Sequence, residues 1–261
     1  MRFGLPRLIP IKSGPFVYCH IAMLFRDRLM CASVVTRPHS REASTLTARE
    51  VAIDPLGVSG TLHLPASASA LVVFAHGSGS SRLSPRNMAV ASALNVQGMA
   101  TLLFDLLTPD EEQNRANVFD IPLLAERLVA VIRWIDRQPE LARLPLGLFG
   151  ASTGAAAALV AAAQLGSRVG AVVSRGGRPD LADPALDDVT APTLLIVGGL
   201  DFEVIELNEQ AFARLEAPKA LEIVPGATHL FPEPGAFDAV IKHAGLWFKR
   251  HLGASVHPNA G

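Results

Sequence analysis

Six short runs of apolar and β-branched residues, at 71–76, 100–104, 146–149, 169–174, 193–197 and 221–224, are separated by stretches with helical character. Strands that are apolar on both faces must be covered on both sides, and parallel neighbours need long crossovers. The pattern therefore restricts the chain to an α/β domain with a mostly parallel sheet and helices on both faces. Two further runs, 50–53 and 58–64, are joined by Pro55, Leu56 and Gly57 and read as an edge hairpin, which brings the sheet to about eight strands. Ser84 followed by Pro85 predicts a helix start, and Gly98 a helix end just after Gln97. Over 121–138, Leu124, Leu128, Val131, Ile132 and Ile135 share one helical face. Phe237, Val240, Ile241, Ala244, Trp247, Phe248 and Leu252 form a similar stripe near the end, read as core packing rather than a ligand site.

Composition narrows the classes of function. A formal net charge of -1 gives no basic surface for nucleic acid, and no uncharged apolar run is long enough for a membrane span. Both cysteines, Cys19 and Cys31, fall in the first segment, so the rest of the chain has no thiolate ligand and no disulfide. Residues 1–45 carry more basic than acidic residues and an apolar run at 16–25 broken only by His20. They read as an N-terminal extension that is disordered, a targeting segment or a mispredicted start. Residues 46–261 read as one catalytic domain. The expected location is the cytoplasm, or outside the cell if the extension acts as a targeting segment. Oligomeric state is not legible.

The run at 146–149 leads into Gly150, Ala151, Ser152, Thr153 and Gly154 and then into a helical stretch of small residues. Gly-x-Ser-x-Gly at a strand-to-helix turn holds a hydroxyl outward at a tight bend, where small neighbours let strand and helix approach. The helix N-terminus beneath it favours developing negative charge. The bland alternative is an ordinary N-cap serine. Past the 193–197 run stands Asp201, and past the 221–224 run stands His229. All three residues then lie at the C-terminal edge of the sheet, where open α/β sheets bind ligands, and in the order Ser, Asp, His. Asp201 could instead cap the helix after it, and His229 could be an ordinary loop residue. Asp105, at the end of the 100–104 run, competes with Asp201 for the acid's place.

These residues, with His76-Gly77-Ser78-Gly79-Ser80 and Val204, resemble the α/β-hydrolase superfamily and, within it, the small lidless enzymes of the dienelactone hydrolase-like branch; the likeness covers about 50–252. Dienelactone hydrolases proper carry a cysteine nucleophile where this chain has Ser152, so the resemblance implies a serine esterase rather than a lactone substrate. It also implies an oxyanion hole built from the backbone N–H groups of Ser78 and Thr153. His76 is expected to be structural. Arg175 and Arg178 bracket Gly176 and Gly177 at the binding edge. Arg175 is a candidate to hold a substrate carboxylate, against the alternative of ion pairs to Asp180 or Asp183. The long connection at 106–117 is expected to wall one side of the cleft.

The expected activity is hydrolysis of small esters through Ser152, His229 and Asp201 with an acyl-enzyme intermediate and no metal or organic cofactor. The partner is then a small-molecule ester. The same machinery would serve a thioesterase or a small-peptide hydrolase. A non-catalytic binding protein that kept the scaffold is the rival from another class. The segment at 175–191 is short and carries Arg178, Asp180, Asp183, Asp187 and Asp188, so no cap domain is expected there.

Overall fold

In a computed structural model of the chain, residues 46–253 are described. The reading of 1–45 as an extension lies outside them. Eight strands form one sheet in the order β1-β2-β4-β3-β5-β6-β7-β8. They are β1 (Leu46–Ile53), β2 (Val58–Pro65), β3 (Leu71–Ala75), β4 (Ala100–Phe104), β5 (Leu146–Ala151), β6 (Val169–Arg175), β7 (Thr193–Gly198) and β8 (Lys219–Val224). β2 is antiparallel to both its neighbours, while all pairs from β4 to β8 are parallel. Strands β3, β4 and β5 are buried along their whole length, which is why their sequences do not alternate.

The helices are α1 (Pro85–Val96), a one-turn α2 (Pro109–Glu112), α3 (Ile121–Ile135), α4 (Thr153–Leu165), α5 (Phe202–Arg214) and α6 (Ala236–Leu252). Two apolar cores lie on opposite sheet faces. One gathers α3, α4 and the buried face of α5 around Leu128, Ile132 and Leu148. The other packs α1 and α6, through Val90, Leu94, Val240 and Phe248, against Val72, Phe149 and Val173. Alanine and glycine dominate α4, so it lies close to the sheet, and its Ala155 to Ala158 are fully buried.

Ser84 caps α1 through a bond from the Asn87 N–H, and Gly98 follows at φ 81°, as the sequence predicts. Several boundaries differ from the sequence reading, β5 for instance running to Ala151 rather than to 149. β1 starts at Leu46 rather than at 50, β8 starts at Lys219 rather than at 221, and α3 stops at Ile135 rather than at 138. Residues 136–138 continue as a tighter turn, with the Arg137 N–H on the Trp134 carbonyl and the Gln138 N–H on that of Ile135. Between β6 and β7 the chain makes two short 3₁₀ turns, Pro179–Ala182 and Ala185–Asp188, and inserts no cap domain. No helix of the described residues is long and apolar enough to cross a membrane.

Candidate active site

At the end of β5 the chain reverses sharply at Ser152, which adopts φ 51° and ψ -122°. Such a backbone costs a non-glycine residue roughly 1–3 kcal/mol and persists only where its surroundings impose it. Here they do so from both sides: the Ser152 N–H donates to the Arg175 carbonyl at 3.3 Å, and its own carbonyl accepts from the Arg178 N–H at 3.2 Å. Ser152 occupies the N-cap position of α4, yet its side chain makes no capping bond. The ordinary-cap reading therefore fails, and the hydroxyl is not spent on the helix.

Gly154 explains how α4 can start so close to β3. A Cβ at this position would sit 2.3 Å from the Ala75 carbonyl oxygen and 2.4 Å from that of His76. Both obstacles are backbone, so neither can rotate away. Gly154→Ala is expected to lower the unfolding free energy by about 3 kcal/mol or more, the upper range for overpacking. Urea unfolding monitored by tryptophan fluorescence measures this; a loss below about 1 kcal/mol would mean that β3 and α4 can separate cheaply.

Asp201 lies just past β7 at the N-cap position of α5 and, like Ser152, makes no side-chain capping bond. Its Oδ2 instead lies 2.7 Å from His229 Nδ1. A carboxylate only accepts, so this contact places the imidazole proton on Nδ1 and leaves the Nε2 lone pair free. The two loops meet because Gly198 has no side chain: a Cβ there would stand 2.5 Å from the Ala227 carbonyl oxygen and 2.7 Å from that of Thr228. The Leu200 N–H donates across to Ala227 at 2.9 Å. On the histidine side, Glu233 accepts from the Thr228 hydroxyl at 2.6 Å and from its N–H at 3.1 Å. These bonds, the hydroxyl first, hold the Glu233 carboxyl below its ordinary range and fix the residue preceding His229.

The structure thus brings Asp201 and His229 together. Among the described residues the Ser152 hydroxyl makes no hydrogen bond to the imidazole, whose Nδ1 faces Asp201. Asp105, the competitor, is committed elsewhere: Oδ1 accepts from the Arg82 N–H at 2.8 Å and Oδ2 from Arg82 Nη1 at 2.7 Å. His76, which lines the cleft beside the elbow, accepts at Nε2 from the Leu106 N–H at 3.1 Å and so ties the ends of β3 and β4 together.

The Ser78 N–H donates to Thr153 Oγ1 at 2.9 Å. The two segments nominated for an oxyanion hole are therefore adjacent. Thr153 is the first residue of α4, so its own N–H has no partner within the helix. The two arginines separate. Arg178 pairs with both oxygens of Asp180, at 2.8 and 2.7 Å, which is the ion-pair alternative, while Arg175 continues β6 and is buried without a carboxylate partner among the described residues.

A cleft of about 950 Å³ opens beside the elbow rather than over it; it touches Gly77, Ser78 and Thr153 but not Ser152, Asp201 or His229. The 106–117 connection does wall it, through Leu106, Glu112 and Arg115.

Asn208 was not legible as a site residue. Fully buried on α5, it donates to the carbonyls of Gly177, at 3.0 Å, and Val204, at 2.7 Å. It thereby steadies the segment whose Arg178 N–H grips Ser152. Its signal is a polar residue on the same helical face as the buried Val204 and Ala211.

An eight-stranded sheet with an antiparallel second strand, a serine elbow after β5, and an acid and a histidine at the ends of β7 and β8 defines an α/β-hydrolase. The chain belongs to the dienelactone hydrolase family, whose pattern residues 58–250 match. A crystallised dienelactone hydrolase from Anabaena variabilis is 52% identical and superposes with a TM-score of 0.77 over 80% of this chain and 99% of its own. Est1E from Butyrivibrio proteoclasticus, 16% identical, shares the fold over 78% of this chain and 98% of its own, with a TM-score of 0.67. A Mycobacterium tuberculosis protein whose name proposes phosphoribosyl transferase activity is 60% identical over 203 residues, 78% of this chain and 46% of that protein. The chain spans less than half the length of the curated relatives it matches.

Proposed function

We propose that this hydrolase cleaves small carboxylic esters by nucleophilic catalysis through Ser152, His229 and Asp201. The reading rests above all on the 2.7 Å contact between Asp201 and His229, made by an acid that forgoes capping its own helix. Ser152 Oγ attacks the ester carbonyl carbon while His229 Nε2 takes the hydroxyl proton. Asp201 keeps the imidazole in the right tautomer and balances the imidazolium. The tetrahedral oxyanion is held by the Thr153 N–H and by the Ser78 N–H, which exchanges the Thr153 hydroxyl for the substrate oxygen. The imidazolium returns its proton to the leaving alcohol, and water then repeats the sequence on the acyl-enzyme. The missing Ser152 to His229 hydrogen bond is compatible with this, because such contacts tighten when substrate binds.

The relatives named for phosphoribosyl transfer are more than twice as long as the stretch they share with this chain. In a chain of 261 residues that stretch of 203 necessarily overlaps the hydrolase-family match at 58–250, which favours hydrolysis over transfer for the residues they share.

Acyl length tests the proposal. Leu200 and Phe202, flanking Asp201, and Leu230, next to His229, are exposed, and no cap covers them. An acyl chain lying on this rim stays half in water, so each methylene gains well below the ~0.8 kcal/mol of full burial. kcat/KM for nitrophenyl esters should therefore plateau or fall beyond short chains, with no rise when the substrate forms micelles. A steep climb towards long chains would overturn the lidless reading; a folded protein with no ester turnover would overturn the esterase itself.

A further inference from the structure

The buried imidazole of His76, the residue just past β3, uses both of its nitrogens. Nε2 lies 3.1 Å from the Leu106 backbone nitrogen, and an amide N–H can only donate, so Nε2 is the acceptor and the ring proton sits on Nδ1. Nδ1 then donates to the Gly77 carbonyl at 3.0 Å. Tying β3 to β4 accounts for the first of these bonds but not for the second. The Gly77 carbonyl already accepts from the Ser80 N–H at 3.2 Å, so it does not need His76 in order to have a partner.

The second bond acts on a particular peptide unit. The Gly77 carbonyl and the Ser78 N–H belong to one planar trans amide and point in opposite directions, so whatever fixes the carbonyl also aims the N–H. That N–H is directed at Thr153 Oγ1, 2.9 Å away on the first residue of α4. The same amide lies against the nucleophile: a Cβ on Gly77 would stand 2.9 Å from Ser152 Cβ and 3.0 Å from the Ala151 carbonyl oxygen. The hydrogen bonds run in one sense, from the Leu106 N–H through the imidazole and this amide to the acceptor that the Ser78 N–H meets. Each bond in such a chain polarises the next, so the last donor is strengthened as well as aimed.

We propose that His76 is a positioning residue for acyl transfer: its Nδ1–H orients and polarises the amide whose Ser78 N–H meets the oxyanion. The assignment rests on the esterase reading for the reaction it serves, but the ring tautomer and the covalent labelling of Ser152 report on it without ester turnover. A donor stabilises an oxyanion best when it already points to where the charge develops. Loss of the bond from His76 to Gly77 should therefore slow the chemical step and leave binding of the ground state nearly unchanged.

Two substitutions in the full chain separate the roles of the two nitrogens. In His76→Asn the side-chain amide nitrogen falls near the position of Nδ1 and keeps the donor to Gly77, but Leu106 loses its acceptor. In His76→Gln the side-chain oxygen reaches the position of Nε2 and keeps Leu106 satisfied, but the bond to Gly77 is lost. For nitrophenyl acetate, His76→Gln should lower kcat about tenfold or more, short of the roughly 10²–10³ for outright loss of a donor, with KM within about threefold of wild type. The rate at which a fluorophosphonate labels Ser152 should fall in step. His76→Asn should turn over about fivefold faster than His76→Gln, or more, because its donor to Gly77 survives. It should nonetheless have the lower Tm of the two, since the buried Leu106 N–H is left unsatisfied. A histidine that only ties β3 to β4 predicts the opposite, with activity following Tm. Isotope-edited NMR of the wild-type imidazoles, with the His76 signals identified by their loss in His76→Asn, should show a protonated Nδ1 and an unprotonated Nε2. The opposite tautomer, activity that follows Tm across the two variants, or a loss carried by KM rather than kcat would overturn the proposal. Labelling of Ser152 that depends on His76 in this way, in a protein without ester turnover, would uphold the positioning role and remove the esterase reading.

Discussion

Ser152→Ala is expected to fold as the wild type does and to lose roughly a millionfold in kcat towards nitrophenyl acetate, the scale seen when a nucleophile that acts as a unit with its base is removed. The fold should tolerate the change because the Ser152 side chain makes no capping bond, while the two bonds that hold the elbow come from its backbone N–H and carbonyl. Removing the hydroxyl leaves both in place. A fluorophosphonate probe should label the wild type once and the variant not at all, which separates a lost nucleophile from a lost binding site. Residual turnover within a hundredfold of wild type, in a variant with unchanged Tm, would move the nucleophile to another residue.

Most of the sheet was legible because burial on both faces removes polar residues from a strand, and β3, β4 and β5 are buried throughout. Legibility fails where that constraint relaxes. β8 is an edge strand with mostly half-buried residues, so Lys219 and Ala220 sit in it without giving an apolar signal. The start of β1 is set by hairpin pairing out to Leu46↔Pro65 rather than by burial, and Arg49 and Glu50 there are exposed. The elbow was legible because Gly154 answers a local demand, the approach of α4 to the β3 backbone. Arg175 was nominated by position alone. That it is buried without a carboxylate partner among the described residues depends on how the chain packs around the end of β6, which no local pattern records. Asn208 was missed for the same reason, since its partner Gly177 is 31 residues away in sequence.

The choice between Asp201 and Asp105 shows what strand order adds, and it carries the second large effect. In sequence both acids follow an apolar strand, and nothing local ranks them. In the sheet, Asp201 leaves β7, the direct neighbour of β8, after which His229 stands. Asp105 leaves β4, separated from β8 by β3, β5, β6 and β7. At about 4.8 Å per strand that is a separation of roughly 24 Å, and no carboxylate spans it. Asp105 is spent on Arg82, through the backbone N–H and the guanidinium. Asp201→Asn keeps the size of the side chain but lets its amide donate to Nδ1, which then favours the imidazole tautomer with its proton on Nε2, where the base must accept. The expected loss in kcat is about 10⁴-fold, with KM little changed, since the acid acts on the histidine and not on the bound ester. Asp105→Asn should leave kcat within a fewfold of wild type and instead lower stability by about 1–3 kcal/mol, the range for a charge-assisted hydrogen bond broken at a part-buried site. Both variants need kcat, KM and a urea midpoint measured side by side. A larger kcat loss in Asp105→Asn than in Asp201→Asn would mean that the acid has been misplaced and that the strand order placing Asp201 beside His229 is wrong.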